Sequence, residues 1–438
     1  MSTLRRVLCS WLICFLASIG LPQVKYVSNH WEGSWPFVYR GLHCDDQGLG
    51  YSVCNTYGGQ YNRIKFSKNG QLRLWQHHNI AGYVQDSEID NTNHRLYIVG
   101  DNWDANGVPY GFISCIDTNT GIELWNLADS TGRYGAVTIG SDGSAYVYAT
   151  ANMIAKLMKF DLAGGLSWQS TFQSFGELLG GYPLRIADIS VTSSGDVFVG
   201  AGGYDWDPQE GVIVRCSATT GQILWHQRVG LWSICKLLPS GSRLYAVGSS
   251  ASSGWTASVM AFDNATGNMI WQRDSTAPGS NWTEASYDAC VDGLGNLYWT
   301  GGAYLWNQAQ FRYDDWRSVT ESISSSGILN WRKENQNPLG SFSNACLPDG
   351  GGGVIVASGE GRTDGWLDRV LNSYRANGSV RWSWRGLCPG ATRQYEFSTT
   401  LCQSSNPGGF LLGLAQVNNG GGTHTARLQL VQTIGPHR

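Results

Sequence analysis

The sequence predicts an all-β protein: a closed β-propeller of eight four-stranded antiparallel blades, with a seven-bladed ring as the alternative. Three observations predict it. A hairpin segment carrying Gly and then Trp recurs seven times, Trp75 to Trp382 spans 307 residues in six intervals of about 51, and the two ends of the chain complement each other.

The hairpins read KFSKNGQLRLWQ to Gln76, CIDTNTGIELWN to Asn126, KFDLAGGLSWQ to Gln169, RCSATTGQILWH to His226, AFDNATGNMIWQ to Gln272, ISSSGILNWR to Arg332 and YRANGSVRWS to Ser383. Each is an apolar alternating run, a polar turn with Gly, and a second alternating run, the pattern of two strands joined by a tight turn. Six copies place Trp four residues after the turn Gly: Gly121 and Trp125, Gly164 and Trp168, Gly221 and Trp225, Gly267 and Trp271, Gly327 and Trp331, Gly378 and Trp382. The first departs by one residue, Gly70 to Trp75.

A second motif precedes each hairpin: a short strand, a Gly-rich turn and a β-prone strand. Examples are ACVDGLGNLYWTGG from Ala289 and ISVTSSGDVFVGAGG from Ile189. One unit is therefore four antiparallel strands, A to D, with Trp on D. A period near 51 fits four strands and their turns. The 416 residues from Gln23 onward hold about eight units.

The ends predict how the ring closes. The last unit has A and B strands near Cys402–Leu414 and a C strand near Arg427–Gln432, and no D strand follows. The segment QVKYVSNH, Gln23–His30, resembles the D segment QLRLWQHH, Gln71–His78, and is expected to supply the missing strand. Closure of this kind removes open sheet edges. Upstream, Arg5 and Arg6 precede an apolar run from Val7 to Ile19, the order of a secretory signal cut after Gly20 and too short for a membrane span. The alternative is a retained apolar strand or anchor. Residues 1–20 are thus read as a signal or apolar segment and 21–438 as one propeller domain.

Composition bounds the partners. Charged residues make up 14 % of the chain and the net charge is −3, so no basic field exists to attract nucleic acid. With 20 Trp and 42 % hydrophobic residues the chain can bury a large core. Of eleven Cys, nine remain after a signal cut, an odd number that cannot all pair.

The D-strand hairpin resembles the tryptophan-docking motif of quinoprotein alcohol dehydrogenase-like (PQQ-like) propellers: Ala, any, Asp, two any, Thr, Gly, three any, Trp. Ala261, Asp263, Thr266, Gly267 and Trp271 match it fully; Asp117, Thr120, Gly121 and Trp125 match all but the Ala, where Cys115 stands. The resemblance implies that each Trp packs between neighbouring blades, so Trp271 is expected to lie flat and nearly out of water. In that family's enzymes a quinone sits on the axis, clamped by a disulfide between adjacent cysteines, with calcium and a catalytic Asp. Here no two cysteines are adjacent and no haem-attachment Cys-x-x-Cys-His occurs. No cofactor is expected, and fold alone does not imply function.

Other chemistry is weaker still. The histidines show no metal-ligand spacing, and His77 and His78 face opposite sides of a strand. Asp45–Asp46 and Asp314–Asp315 read as turn residues. Cys44, Cys235, Cys290, Cys346 and Cys402 are expected at one position of strand A, either as a thiol-lined segment or as small apolar fillers of a crowded strand.

The candidate binding residues are aromatic. Trp103, Trp206, Trp255, Trp306 and Trp366 fall in B–C loops, with Tyr57 near the same place and acidic neighbours Asp104, Asp205, Asp207 and Asp368. The D–A loops, on the same face of a meander, add Trp35, Tyr83, Tyr134, Tyr182, Trp232, Trp282, Phe342 and Tyr395. Amphipathic rings dominate recognition surfaces, and they also tie loops to adjacent blades. The site expected from Trp103, Asp104, Trp206, Asp207, Trp255, Trp306 and Trp366 binds a protein or carbohydrate partner. The function read from this is a non-catalytic binding or assembly-scaffold propeller, secreted, periplasmic or surface-exposed, and not an integral membrane protein after signal cleavage. The alternatives are a structural accessory protein of a larger particle, such as a virion or surface layer, and a quinone-dependent dehydrogenase.

Overall fold

The computed structural model describes residues 23–30, 38–56, 59–67, 73–130, 132–151, 154–172, 185–192, 194–202, 211–250, 256–276, 282–307, 312–337, 339–361, 367–386, 394–403, 409–418 and 424–434. Along 23–40 and 394–434 it describes the backbone path alone. The expected signal segment lies outside these residues.

Every regular element among the described residues is a β-strand. Strand β1 is Gln23–His30. Blade 1 is β2 (Val38–Cys44), β3 (Gly50–Thr56), β4 (Gln60–Phe66) and β5 (Arg73–Ala81). Blade 2 is β6 (Tyr83–Asp90), β7 (Arg95–Trp103), β8 (Pro109–Asp117) and β9 (Glu123–Asp129). Blade 3 is β10 (Arg133–Ile139), β11 (Ala145–Ala151), β12 (Ile154–Phe160) and β13 (Leu166–Phe172). Blade 4 is β14 (Arg185–Val191), β15 (Val197–Gly202), β16 (Gly211–Cys216) and β17 (Ile223–Val229). Blade 5 is β18 (Ser233–Ser240), β19 (Arg243–Ser250), β20 (Thr256–Asp263) and β21 (Met269–Asp274). Blade 6 is β22 (Trp282–Val291), β23 (Leu297–Asn307), β24 (Arg312–Ile323) and β25 (Leu329–Asn335). Blade 7 is β26 (Ser341–Pro348), β27 (Gly353–Gly361), β28 (Leu367–Arg375) and β29 (Val380–Gly386). The terminal unit is β30 (Gln394–Gln403), β31 (Gly409–Asn418) and β32 (His424–Ile434).

Blades 1 to 6 are separate four-stranded antiparallel sheets. Blade 7 and the terminal unit form one eight-stranded sheet instead of two, because the starts of β28 and β30 touch in a single parallel bridge, Leu367 to Tyr395. Strand β1 is the outer strand of that sheet and pairs antiparallel with β32 over its whole length, Tyr26 opposite Val431. The first strands of consecutive blades contact one another from β2 to β30, and β30 also contacts β2.

Burial follows strand position. Strands β15 and β27 are buried throughout, because blades cover both their faces, whereas the fourth strand β17 alternates between half-buried and exposed. The core therefore lies between blades. Val53 and Tyr61 of blade 1 pack with Leu96, Ile98 and Phe112 of blade 2. Phe198 and Ile213 of blade 4 pack in the same way with Leu244 and Phe262 of blade 5.

The repeated Trp stitches these interfaces. The indole N–H donates to a turn carbonyl of the next blade: Trp75 to Thr118, Trp125 to Leu162, Trp168 to Ala218, Trp225 to Asn264, Trp271 to Ser325 and Trp331 to Ala376, all at 2.9–3.1 Å. The ring lies on the turn glycine of that next blade, where a Cβ at Gly327 would come 2.8 Å from the Trp271 ring. The Asp263 carboxylate accepts from the backbone N–H groups of Ala265 and Thr266 and from the Thr266 hydroxyl, as expected of a turn brace.

Three expectations need correction. Trp271 is half-buried rather than nearly out of water: it packs on Tyr245 of its own blade and on the turn of blade 6, but its strand is outermost, so part of the ring meets solvent. The cysteines do not share one position. Each first strand carries a β-bulge, which is Cys235 itself in β18 but Tyr287 in β22 and Asn344 in β26, so Cys235 is set apart from Cys290 and Cys346, which follow their bulges. Asp314 and Asp315 lie within β24, not in a turn, and Asp315 pairs with Arg317 at 2.8 Å.

Candidate functional site

The bulges decide what the first strands point inward. In four of the eight first strands the residue after the bulge is charged: Asp86 in β6, Asp188 in β14, Lys236 in β18 and Asp288 in β22. Each Asp accepts a hydrogen bond from a backbone N–H of the following blade: Val137 to Asp86 at 2.9 Å, Leu237 to Asp188 at 2.7 Å, Cys346 to Asp288 at 2.9 Å. Blades 2, 4 and 6 are thus clipped to blades 3, 5 and 7. The Lys236 ammonium feels the charge of Asp188 most, then of Asp288, Asp86 and Glu88, which stand on three other blades. Its Nζ is 4.0 Å from Asp188, and its side chain is 40 % exposed.

Electrostatics follow from this placement. Burial, the largest influence, with Glu88 and Asp188 adding to it, pushes the Asp86 carboxyl up to about 7 against the hydrogen bond from Val137 and the charge of Lys236. Burial likewise raises Asp188 and Asp288. The four carboxylates raise the Lys236 ammonium, Asp188 most. Burial lowers His43, whose Nε2 lies 2.9 Å from the Ser87 hydroxyl.

These residues do not fit a quinone–calcium centre. Each Asp already spends an oxygen on a neighbouring blade's N–H, and the Lys236 ammonium stands where a divalent cation would seek the same carboxylates. The sequence signal for this centre was present and missed: Asp86, Asp188 and Asp288 recur at about two repeats.

At the B–C/D–A end the predicted residues divide. Trp103 ends β7 and is 45 % exposed, its ring 3.6 Å from where a Cβ on Gly59 of blade 1 would stand. Asp104 opens the β7–β8 turn, its carboxylate accepting from the backbone N–H groups of Asn106 and Val108 at 2.8 Å, which hold it below the usual carboxylate range. Trp206, Asp207, Trp255 and Trp366 lie outside the described residues; Trp306 lies in β23, opposite Tyr313. Tyr134 is buried, and Tyr83, Trp232, Trp282 and Phe342 are half-buried, so these rings serve packing as well as any surface.

Sequence reasoning missed a patch on blade 6. Strands β23 and β24, 11 and 12 residues long, outreach those of blades 1 to 5 and 7. Tyr304 and Trp316 stand opposite each other on them with rings 6.2 Å apart edge to face, and the Tyr287 hydroxyl, from the bulge of β22, meets that of Tyr304. Tyr287 is 42 % and Trp316 43 % exposed. Arg317 anchors the patch, stacked 4.3 Å over Trp282 and paired with Asp315 and Glu334. Below it, Arg332 binds the buried Glu284 and Glu321, and Trp299 donates to Glu321.

This architecture is that of a β-propeller. The family profile described as "Outer membrane protein assembly factor BamB" matches residues 155–298. A search of curated proteins by sequence finds no match. Among solved structures, a quinohemoprotein alcohol dehydrogenase of Pseudomonas putida HK5 is similar over 95 % of this chain and 76 % of its own, at 12 % identity and TM-score 0.56. A europium-containing methanol dehydrogenase covers 93 % of each chain at 12 % identity and TM-score 0.55. The Dos1 propeller covers 92 % of this chain and 95 % of its own at 11 % identity and TM-score 0.57. Identities this low speak for fold alone. With the repeat, the matched profile indicates PQQ-like propeller repeats over residues 155–298, and the solved structures add the propeller fold. No helix among the described residues is long and apolar enough to cross a membrane.

Proposed function

We propose that the chain is a non-catalytic assembly or binding propeller that works outside the cytoplasm and grips a protein partner through its B–C/D–A face. The observation that carries the reading is the exposed aromatic patch of Tyr287, Tyr304 and Trp316 on a projecting blade, with Trp103 exposed on the same face. Rigid amphipathic rings on braced strands suit partner anchoring. The BamB-type profile favours a protein partner. The signal-like segment favours export. Trp206, Asp207, Trp255, Trp306 and Trp366 belong to this proposed face with Trp103 and Asp104. The ring itself we read as eight-bladed, the terminal unit completed by β1; the β1–β32 ladder and the β2–β30 contact support that.

The test compares wild type with Trp316→Ala, Tyr287→Ala and Trp103→Ala in cross-linking pull-downs from the envelope fraction of the source organism, beside a glycan array. The expected result is a protein captured by wild type and lost from the variants, with unchanged melting. Glycan binding that the variants lose would reassign the face to carbohydrate. Substrate-dependent dye reduction with added quinone and calcium would overturn the non-catalytic reading in favour of a dehydrogenase.

A further inference from the structure

Blades 6 and 7 meet through a cysteine pair that binding at the aromatic face does not use. Cys290 on β22 and Cys346 on β26 lie on adjoining first strands, in one buried cluster with Tyr298, Val354 and Val356. They are 7 % and 2 % exposed, and the Cys290 thiol is close enough to add to burial in raising that of Cys346. The bond from the Cys346 N–H to Asp288 fixes the two strands against each other at this height. Cys235, on the next first strand, is turned to the Ser286 hydroxyl at 3.5 Å instead. Both cysteines of the pair are reduced in this structure.

We propose that Cys290 and Cys346 form a disulfide across the blade 6–blade 7 interface when the chain folds in an oxidising compartment. The oxidant is a low-molecular-weight or protein disulfide. One cysteine thiolate attacks a sulfur of that disulfide, giving a mixed disulfide and expelling one thiolate. The second cysteine thiolate attacks the mixed disulfide, forms the Cys290–Cys346 bond and expels the other. Two electrons pass to the oxidant, and the two cysteine protons pass to its released thiolates. Burial raises the Cys346 thiol and keeps solvent away, so the exchange belongs to folding, before the interface shuts. The bond closes a chain segment from residue 290 to 346, and a covalent tie of that span restricts the unfolded chain substantially. The competing account is that both thiols merely fill the interface as small apolar groups.

Full-length protein refolded from denaturant in a reduced and oxidised glutathione buffer tests this. After alkylation without reduction, peptide mapping is expected to give one linked pair containing residues 290 and 346. The melting midpoint is expected to stand several degrees above that of reduced protein and to return on reduction. Cys290→Ala and Cys346→Ala should each lose the link and the sensitivity to reductant. Recovery of both cysteines singly alkylated from the refolded wild type would overturn the proposal, and so would a link through Cys235. Where a variant fails to fold, the wild-type map alone decides. The outcome is independent of partner binding.

Discussion

At the scale of single residues, environment separates side chains of one type. Trp271 and Trp103 are both partly exposed, but Trp271 donates to Ser325 of the next blade and covers Gly327, whereas Trp103 caps a hairpin end. Trp271→Ala is expected to cost about 2 kcal/mol, below the roughly 3–5 kcal/mol of a fully buried tryptophan because half the ring already meets water. Trp103→Ala should stay within about 0.5 kcal/mol, as surface changes do. Thermal melts of the two variants check the ordering; equal losses would make Trp103 a packing residue. Asp86 offers a pH test. Its folded pKa, about 7, lies above the unfolded carboxylate value, so the folded state holds a proton that the unfolded chain releases. Its contribution is fully present below the unfolded pKa and is lost as pH rises through about 7. Asp86→Asn keeps an acceptor for Val137 and removes the titration, so the fall in melting midpoint from pH 5 to pH 8 should be smaller than in wild type. An identical pH profile would show that Asp86 does not titrate in this range.

At the scale of elements, the hairpin was legible because its parts act locally. Asp263, Thr266 and Gly267 close their own turn, and the alternation of the following strand is a matter of a few residues. What the next blade does with that turn was only half legible. The Trp was expected between blades, but a second anchor was missed: Lys65, Lys159 and Arg215 donate to the same carbonyls as Trp75, Trp168 and Trp225, those of Thr118, Ala218 and Asn264. A cation and an indole from one blade thus converge on one carbonyl of the next, and their sequence separation hides the pairing. The grouping of Asp86, Asp188, Lys236 and Asp288 was hidden for a related reason. A bulge shifts the register by one residue, which decides whether an Asp or its neighbour faces inward, and nothing in strand alternation marks it. Gly327 tests the turn as a unit. Its φ is 87° and a Cβ would meet the Trp271 ring, so Gly327→Ala is expected to combine backbone strain with a clash and cost about 3 kcal/mol. Gly293, where nothing lies within 4 Å, is the control: Gly293→Ala should melt within a degree or two of wild type.

At the scale of the whole molecule, a propeller's stability is shared among the interfaces between its blades. The core lies between neighbouring blades, so each blade needs the next to cover its apolar face. Blades 1 to 7 draw all four strands from contiguous sequence, whereas the terminal unit borrows β1 from the other end of the chain. That makes β1 the one strand whose loss removes no local hairpin yet uncovers the edge of β32 along eight paired residues, from Gln23 opposite Ile434 to His30 opposite Arg427. Exposed edges of this kind recruit other chains. Deleting residues 1–30 is therefore expected to lower the melting midpoint and to shift the protein to larger species than wild type on size exclusion, more strongly as concentration rises. A synthetic peptide of sequence QVKYVSNH, added in excess, should restore part of both by refilling the edge, because a ligand that binds only the folded chain stabilises it by mass action. A peptide with the same residues scrambled serves as the control. If the deleted protein keeps the midpoint and the elution volume of wild type, β1 is an ornament on the last sheet, and the seven-bladed reading, with the N-terminal segment outside the ring, takes precedence.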